Sequence, residues 1–134
     1  MNIEQIKKDL RELHGIQVSI KTLLEAEERL RRQVIYLQQF KGFDNEIRHA
    51  KKEIKKLNTA DYISRATNIY KTYTDIFTKL KPLYRTIATA VFLNGDTHRQ
   101  VADRLGYSIH TIRTRHLPAI YEQIKILINK KSPN

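Results

Sequence analysis

Residues 97–119, THRQVADRLGYSIHTIRTRHLPA, carry their own helix start, stop and restart signals, and so leave few folds open to the chain. Thr97 and Gln100 have the spacing of a capping box: the threonine hydroxyl accepts a backbone N–H three residues on, and the Gln100 side chain reaches back to the Thr97 N–H. A helix is therefore expected from His98. Its apolar residues Val101, Ala102 and Leu105 share one narrow stripe, and Ala102 is small enough to admit a second helix at close range. Gly106 supplies the left-handed residue that often closes a helix, and Ser108 is a good N-cap for the next one. Two helices joined by so short a turn must cross steeply, the arrangement of a helix-turn-helix.

The second helix can be read by angle, at about 100° per residue with Ile112 facing inward as zero. His110 then lies at about 160°, Arg113 at about 100° and Thr114 at about 200°, all pointing away from the core. Ile109, Arg115 and His116 fall on the flanks, within about 60° of Ile112. An exposed face of His, Arg and Thr suits the edges of base pairs: Arg can grip guanine with two nitrogens, and the Thr methyl can meet that of thymine. Ser108, Thr111, Thr97 and Arg99 frame this face and, with the more distant Lys125, complete the candidate DNA contacts. Pro118 is expected to end this helix near His116 and to open a last one, where its missing N–H does no harm.

Read together, the run from Pro82 through Leu93, Asn94 to Thr97, Val101 and Ala102, Leu105 to Ser108, Thr111 to Arg113, Ala119 and Ile120 resemble the fourth region of bacterial sigma factors. A short chain that sets helices before such a module is similar to the phage late-gene transcriptional regulators of the ArpU and RinA kind. The resemblance implies that Ile109, His110, Arg113 and Thr114 meet promoter DNA. The chain departs from the family at Arg115 or His116, where the family has an apolar residue, and at Pro118, which the family lacks.

Charge points the same way: 25 Lys and Arg against 14 Asp and Glu give a formal +11, so a polyanion is the expected partner. Residues 97–134 hold seven basic side chains against two acidic ones; residues 1–58 hold thirteen against nine. Basic charge alone also fits a membrane surface or plain solubility. No cysteine is present, which removes disulfides and thiolate metal sites and fits a cytoplasmic protein. No apolar run reaches membrane length, and the charged N-terminus does not read as a secretory signal.

Upstream, apolar residues recur at helical spacing. Ile3, Ile6, Leu10 and Leu13 make one seam, His14 and Gly15 interrupt it, and Ile16, Ile20, Leu23, Leu30, Val34 and Leu37 resume it out of phase, with Glu27 as a misfit. This predicts either one long helix weakened at Gly15 or a short helix followed by a longer one. A break at Lys41 and Gly42 precedes a helix over 43–57, whose lysines 51, 52, 55 and 56 read more readily as a solvated face than as a phosphate track. After a turn and cap at residues 58–61, a helix runs to Lys81, with tyrosines 62, 70 and 73 more readily packing residues than a base-stacking platform. Further helices are expected over 82–93 and from Pro118.

The sequence thus predicts an all-α chain: a helical arm over 1–58, a possible coiled coil, and a helical DNA-binding domain over 59–134. Enzymatic chemistry is not expected. None of the five histidines takes the i, i+4 spacing of a helical metal pair, and neither a phosphate-binding glycine loop nor a nucleophile elbow is present, so no metal or cofactor is predicted. The expected function is sequence-specific binding of double-stranded DNA in transcriptional control, activation of phage or mobile-element genes being what the resemblance implies. The alternatives are a small terminase subunit that recognises DNA for packaging, and a helical interaction protein that contacts RNA polymerase or another regulator. The apolar arm predicts either a homodimer or a clasp against the 43–57 helix of the same chain.

Overall fold

The computed structural model describes residues 1–131, and among these every regular element is helical. The fold is all-α, as the apolar periodicity predicts. Helix α1 covers Ile3–Leu37, α2 Asp44–Leu57, α3 Thr59–Phe77, α4 Pro82–Ala88, α5 His98–Leu105, α6 Ile109–Thr111 and α7 Leu117–Lys131. Of the two readings of the first 37 residues, one unbroken helix is observed, running through Gly15. No described residue forms part of a helix long and apolar enough to cross a membrane.

Two of these helices are longer than their α-helical bounds. After α4 the chain keeps winding over Thr89–Leu93 in a wider turn, with the Asn94 N–H donating to the Thr89 carbonyl five residues back at 3.0 Å. The same widening occupies Ile112–His116 between α6 and α7, where the Leu117 N–H reaches the Ile112 carbonyl. The backbone stays right-handed helical at both junctions, φ −58° and ψ −48° at Ile112, φ −62° and ψ −45° at Leu117. Residues 109–131 are therefore one continuous helical rod, where a break near His116 was expected. Pro118 explains the form of the junction. It has no N–H to donate, and its ring collides with the carbonyl four residues back in a regular α-helix, so a locally wider turn just ahead of it relieves the clash without ending the helix.

The chain divides into two compact units, Ile16–Thr67 and the remainder, in place of a single boundary at residue 58. In the unit built from Met1–Gly15 and the chain from Asn68 onward, Ile6, Leu10 and Leu13 of α1 are fully buried, as are Ile76 of α3, Ile87 of α4 and Ile120 and Ile124 of α7. One polar pair interrupts this apolar core: the Tyr73 hydroxyl donates to Asp9 Oδ2 at 2.7 Å, while Gln5 Nε2 donates to Asp9 Oδ1 at 2.9 Å. His14 Nδ1 lies 3.2 Å from the Leu93 carbonyl, and its ring sits against Gly95, where a Cβ would come within 2.7 Å of it. Gly95 has φ +75°, a backbone conformation that strains any side chain, and a Cβ there would also have to displace the His14 ring.

In the second unit Val34 of α1 and Ala50 of α2 are buried, and Arg31, Val34 and Ile35 share one hollow with Lys51 and Ile54, so α2 folds back along α1. The misfit Glu27 is resolved locally: Arg31 donates to its Oε1 from Nε at 2.9 Å and from Nη2 at 2.6 Å. That guanidinium holds the Glu27 carboxyl below its ordinary range. The back-folding covers only part of the apolar surface. Val18, Leu24, Ile35, Tyr36, Phe40 and Phe43 stay exposed, and Phe40 meets Tyr36 and Phe43 edge-on at centroid distances of 5.2 and 6.2 Å.

Candidate nucleic-acid interface

The candidate site is built on α5, the turn after it and the start of the 109–131 rod. Thr97 begins α5 with both halves of the capping box formed: Gln100 N–H donates to Thr97 Oγ1 at 3.1 Å, and Thr97 N–H donates to Gln100 Oε1 at 2.9 Å. Val101 and Ala102 are buried, Leu105 half so. Gly106 closes the helix at φ +78°, and the Tyr107 N–H returns to the Ala102 carbonyl at 3.0 Å. Asp96, just before the cap, accepts from Arg104 at 3.2 Å, tying the two ends of α5 together.

Ser108 starts the next helix by accepting the Thr111 N–H at 3.0 Å, and its hydroxyl also meets the Thr111 hydroxyl at 2.8 Å. Ile112 has no exposed surface and fixes the rotation of the segment. Around it His110, Arg113, Thr114 and Arg115 are exposed, as are Thr97, Arg99 and Ser108, while Ile109, Thr111 and Lys125 are half-buried. Thr114 directs its hydroxyl to the His110 carbonyl at 2.7 Å, which commits its donor to the helix itself. Lys125 belongs to α7, nine residues beyond His116, and no described contact joins it to the α5–α6 face.

The widened turn changes two positions in the angular reading. A wider turn advances each residue through a smaller angle, so Arg115 lies further round from Ile112 than a regular helix puts it, and His116 lies closer. Arg115 is accordingly exposed. The His116 ring is drawn inward to Tyr107, 4.7 Å away edge-on, and Tyr84, 6.1 Å away, with its Nε2 buried and without a hydrogen-bond partner. His116 is thus a packing residue between two tyrosines in this structure, and its imidazole is not on the outward face.

One partnership in the site has no sequence signal. Arg113 Nε donates to His98 Nδ1 at 3.0 Å, across fifteen residues and between the two helices. Because an arginine Nε can only donate, the His98 Nδ1 must carry its lone pair and the ring proton sits on Nε2. Burial, and secondarily the Arg113 charge, push the His98 pKa below the ordinary histidine value. His98 marks a helix start in the sequence, but its partner follows only from how the two helices cross.

Chemically the face offers a fork of donors from Arg113, a second cation at Arg115, a ring at His110 and hydroxyls at the rim, which suits a phosphate-bearing polymer with readable edges. Among the described residues, no group of three or more His, Asp or Glu side chains is placed to hold a metal ion. Comparison with protein-family models, with curated proteins and with solved structures found no match.

Proposed function

We propose that this chain is a cytoplasmic, sequence-specific DNA-binding regulator of transcription, and that α5 and the start of the 109–131 rod form its helix-turn-helix. The observation that carries the reading is the outward set His110, Arg113 and Thr114 around a fully buried Ile112, on a segment started by a serine cap and packed on α5, whose Val101 and Ala102 are buried. A recognition helix needs this combination: an anchored inner face sets the depth and rotation at which the outer side chains enter the major groove. In this assignment Arg113 reads a base, His110 and Thr114 flank it, and Arg99, Arg115 and Lys125 neutralise phosphates. The +11 net charge supplies the sequence-independent attraction. The resemblance to sigma-factor region four, and through it to phage late-gene activators, agrees with the same assignment. The exposed aromatic cluster of Tyr36, Phe40 and Phe43 supports self-association, since paired modules gain affinity by reading two half-sites.

The test is selection of duplexes from a random pool, followed by titration of the wild type and Arg113→Ala on the enriched duplex and on a scrambled one. Enrichment of a motif, with Arg113→Ala losing about 1–3 kcal/mol on the selected duplex only, supports base reading. Equal losses on both duplexes reduce Arg113 to a phosphate contact. A chain that enriches no motif is not a sequence-specific regulator.

A further inference from the structure

His98 has the right chemistry and the right footing to decide how Arg113 meets DNA. It occupies the first position of α5, directly after the doubly bonded Thr97 cap, so its ring stands on a backbone that is already fixed. Arginine can offer a base two different donor pairs: Nε with one terminal nitrogen, side-on, or the two terminal nitrogens, end-on. The Nε–H of Arg113 is spent on His98 Nδ1 at 3.0 Å, which removes the side-on pair. The long side chain is also held in one arrangement before DNA arrives, so less ordering is left to offset the gain on binding.

We propose that His98 is a positioning residue which, through this bond, makes Arg113 present its terminal nitrogens end-on, with guanine as the base selected. The inference rests on the DNA-binding reading above. Guanine is the base that offers two adjacent acceptors, O6 and N7, in the major groove, and the end-on pair matches their spacing. The contact exists only with a neutral ring. A proton on Nδ1 removes the lone pair and sets a cation against the guanidinium. Burial, and after it the Arg113 charge facing it from the partner helix, favours the neutral form, while Arg99 beside it on α5 adds no acid and Asp96, two residues before it, is engaged by Arg104. The ring therefore stays neutral below the usual histidine range, and Arg113 loses its guide only as the pH falls through that lowered value.

Two substitutions separate positioning from packing. His98→Asn keeps an acceptor oxygen near the place of Nδ1; His98→Phe keeps a ring and loses the acceptor. Anisotropy titrations on the selected duplex, on the same duplex with its key guanine changed to adenine, and on random duplex should show His98→Phe losing about tenfold in selected-over-random preference and in guanine-over-adenine preference. His98→Asn should stay within about threefold of wild type. The histidine ring signals of the free protein, followed by NMR against pH, should show His98 titrating low in wild type and moving up in Arg113→Ala. A folded His98→Phe with both preferences intact overturns the positioning role while leaving DNA binding standing. If His98→Phe does not fold, the NMR titration decides, because a His98 value unmoved by Arg113→Ala means the contact is absent. A wild type that binds selected and random duplex alike removes the DNA-binding reading and this inference with it.

Discussion

Tyr73→Phe isolates a buried polar contact inside the larger core. Tyr73 is 2% exposed and Asp9 8%, so the hydroxyl and the carboxyl are both withdrawn from water. Each Asp9 oxygen has one protein donor: Gln5 at 2.9 Å on Oδ1 and Tyr73 at 2.7 Å on Oδ2. Burial, and after it the Asp9 carboxylate, drives the Tyr73 pKa far upward, so the phenol stays a donor across the whole working range. Removing the hydroxyl leaves Oδ2 desolvated without a partner, and hydrogen bonds to charged groups are worth about 1.5–3 kcal/mol. The lost volume is one oxygen, so the cavity contribution is small beside that, and we expect about 2 kcal/mol. With a urea dependence of about 2 kcal/mol per molar, the unfolding midpoint followed by circular dichroism should fall by about 1 M. In an Asp9→Asn background the same substitution should cost about half as much, since the acceptor no longer carries charge. A loss below about 0.5 kcal/mol in the wild-type background would refute the reasoning, because it would mean that water replaces the phenol at Oδ2 and Asp9 is not desolvated.

Thr97→Ala removes the hydroxyl that accepts the Gln100 N–H, and should lower stability by about 1–2 kcal/mol in thermal or urea unfolding, whereas Thr97→Ser should cost a few tenths. If the two substitutions cost the same, the threonine methyl and not the cap is what matters. Sedimentation at roughly tens of micromolar should find the full chain dimeric, with Phe40→Glu shifting it to monomer, because each exposed apolar side chain gains about 1.5–3 kcal/mol when buried. A monomer that still binds its selected duplex would make the arm a clasp within one chain.

The parts of this molecule that could be read from sequence are those whose chemistry is local. The Thr97 and Gln100 exchange, the left-handed Gly106 and the Ser108 cap each involve atoms within four residues, and all three form as their residue types require. The inward rotation of Ile112 was likewise legible, since one helix turn sets it. What failed to show is what depends on the third dimension. Gly15 leaves one long helix and two shorter ones equally open in the sequence, and the structure takes the first, with Leu13 and Ile16 buried on either side; tertiary packing outweighs the roughly 1 kcal/mol that a helical glycine costs. Periodicity told which face of residues 1–13 is apolar but not what covers it, so a segment read as arm belongs with Asn68 onward. Pro118 reads as the end of one helix and the start of the next, whereas a widened turn carries the helical backbone through it, turning Arg115 further outward and His116 further inward than a regular helix puts them. The pairing of His98 with Arg113 spans fifteen residues and leaves no periodic trace.

The unbroken rod over residues 109–131 gives the exposed face an unusual mechanical dependence. Its outer end carries His110 and Arg113; further along, Ile120 and Ile124 are sealed in the core with no exposed surface. No loop lies between them to absorb a change. The face is consequently indexed to the core like the bit of a key to its bow: one residue added or removed between Leu117 and Ile120 turns the bit by about 100° and displaces it by about 1.5 Å. The rod is thus constrained in phase as well as in composition, and the stretch around Pro118, itself exposed but directly after the buried Leu117, is where a change in length would be least forgiven.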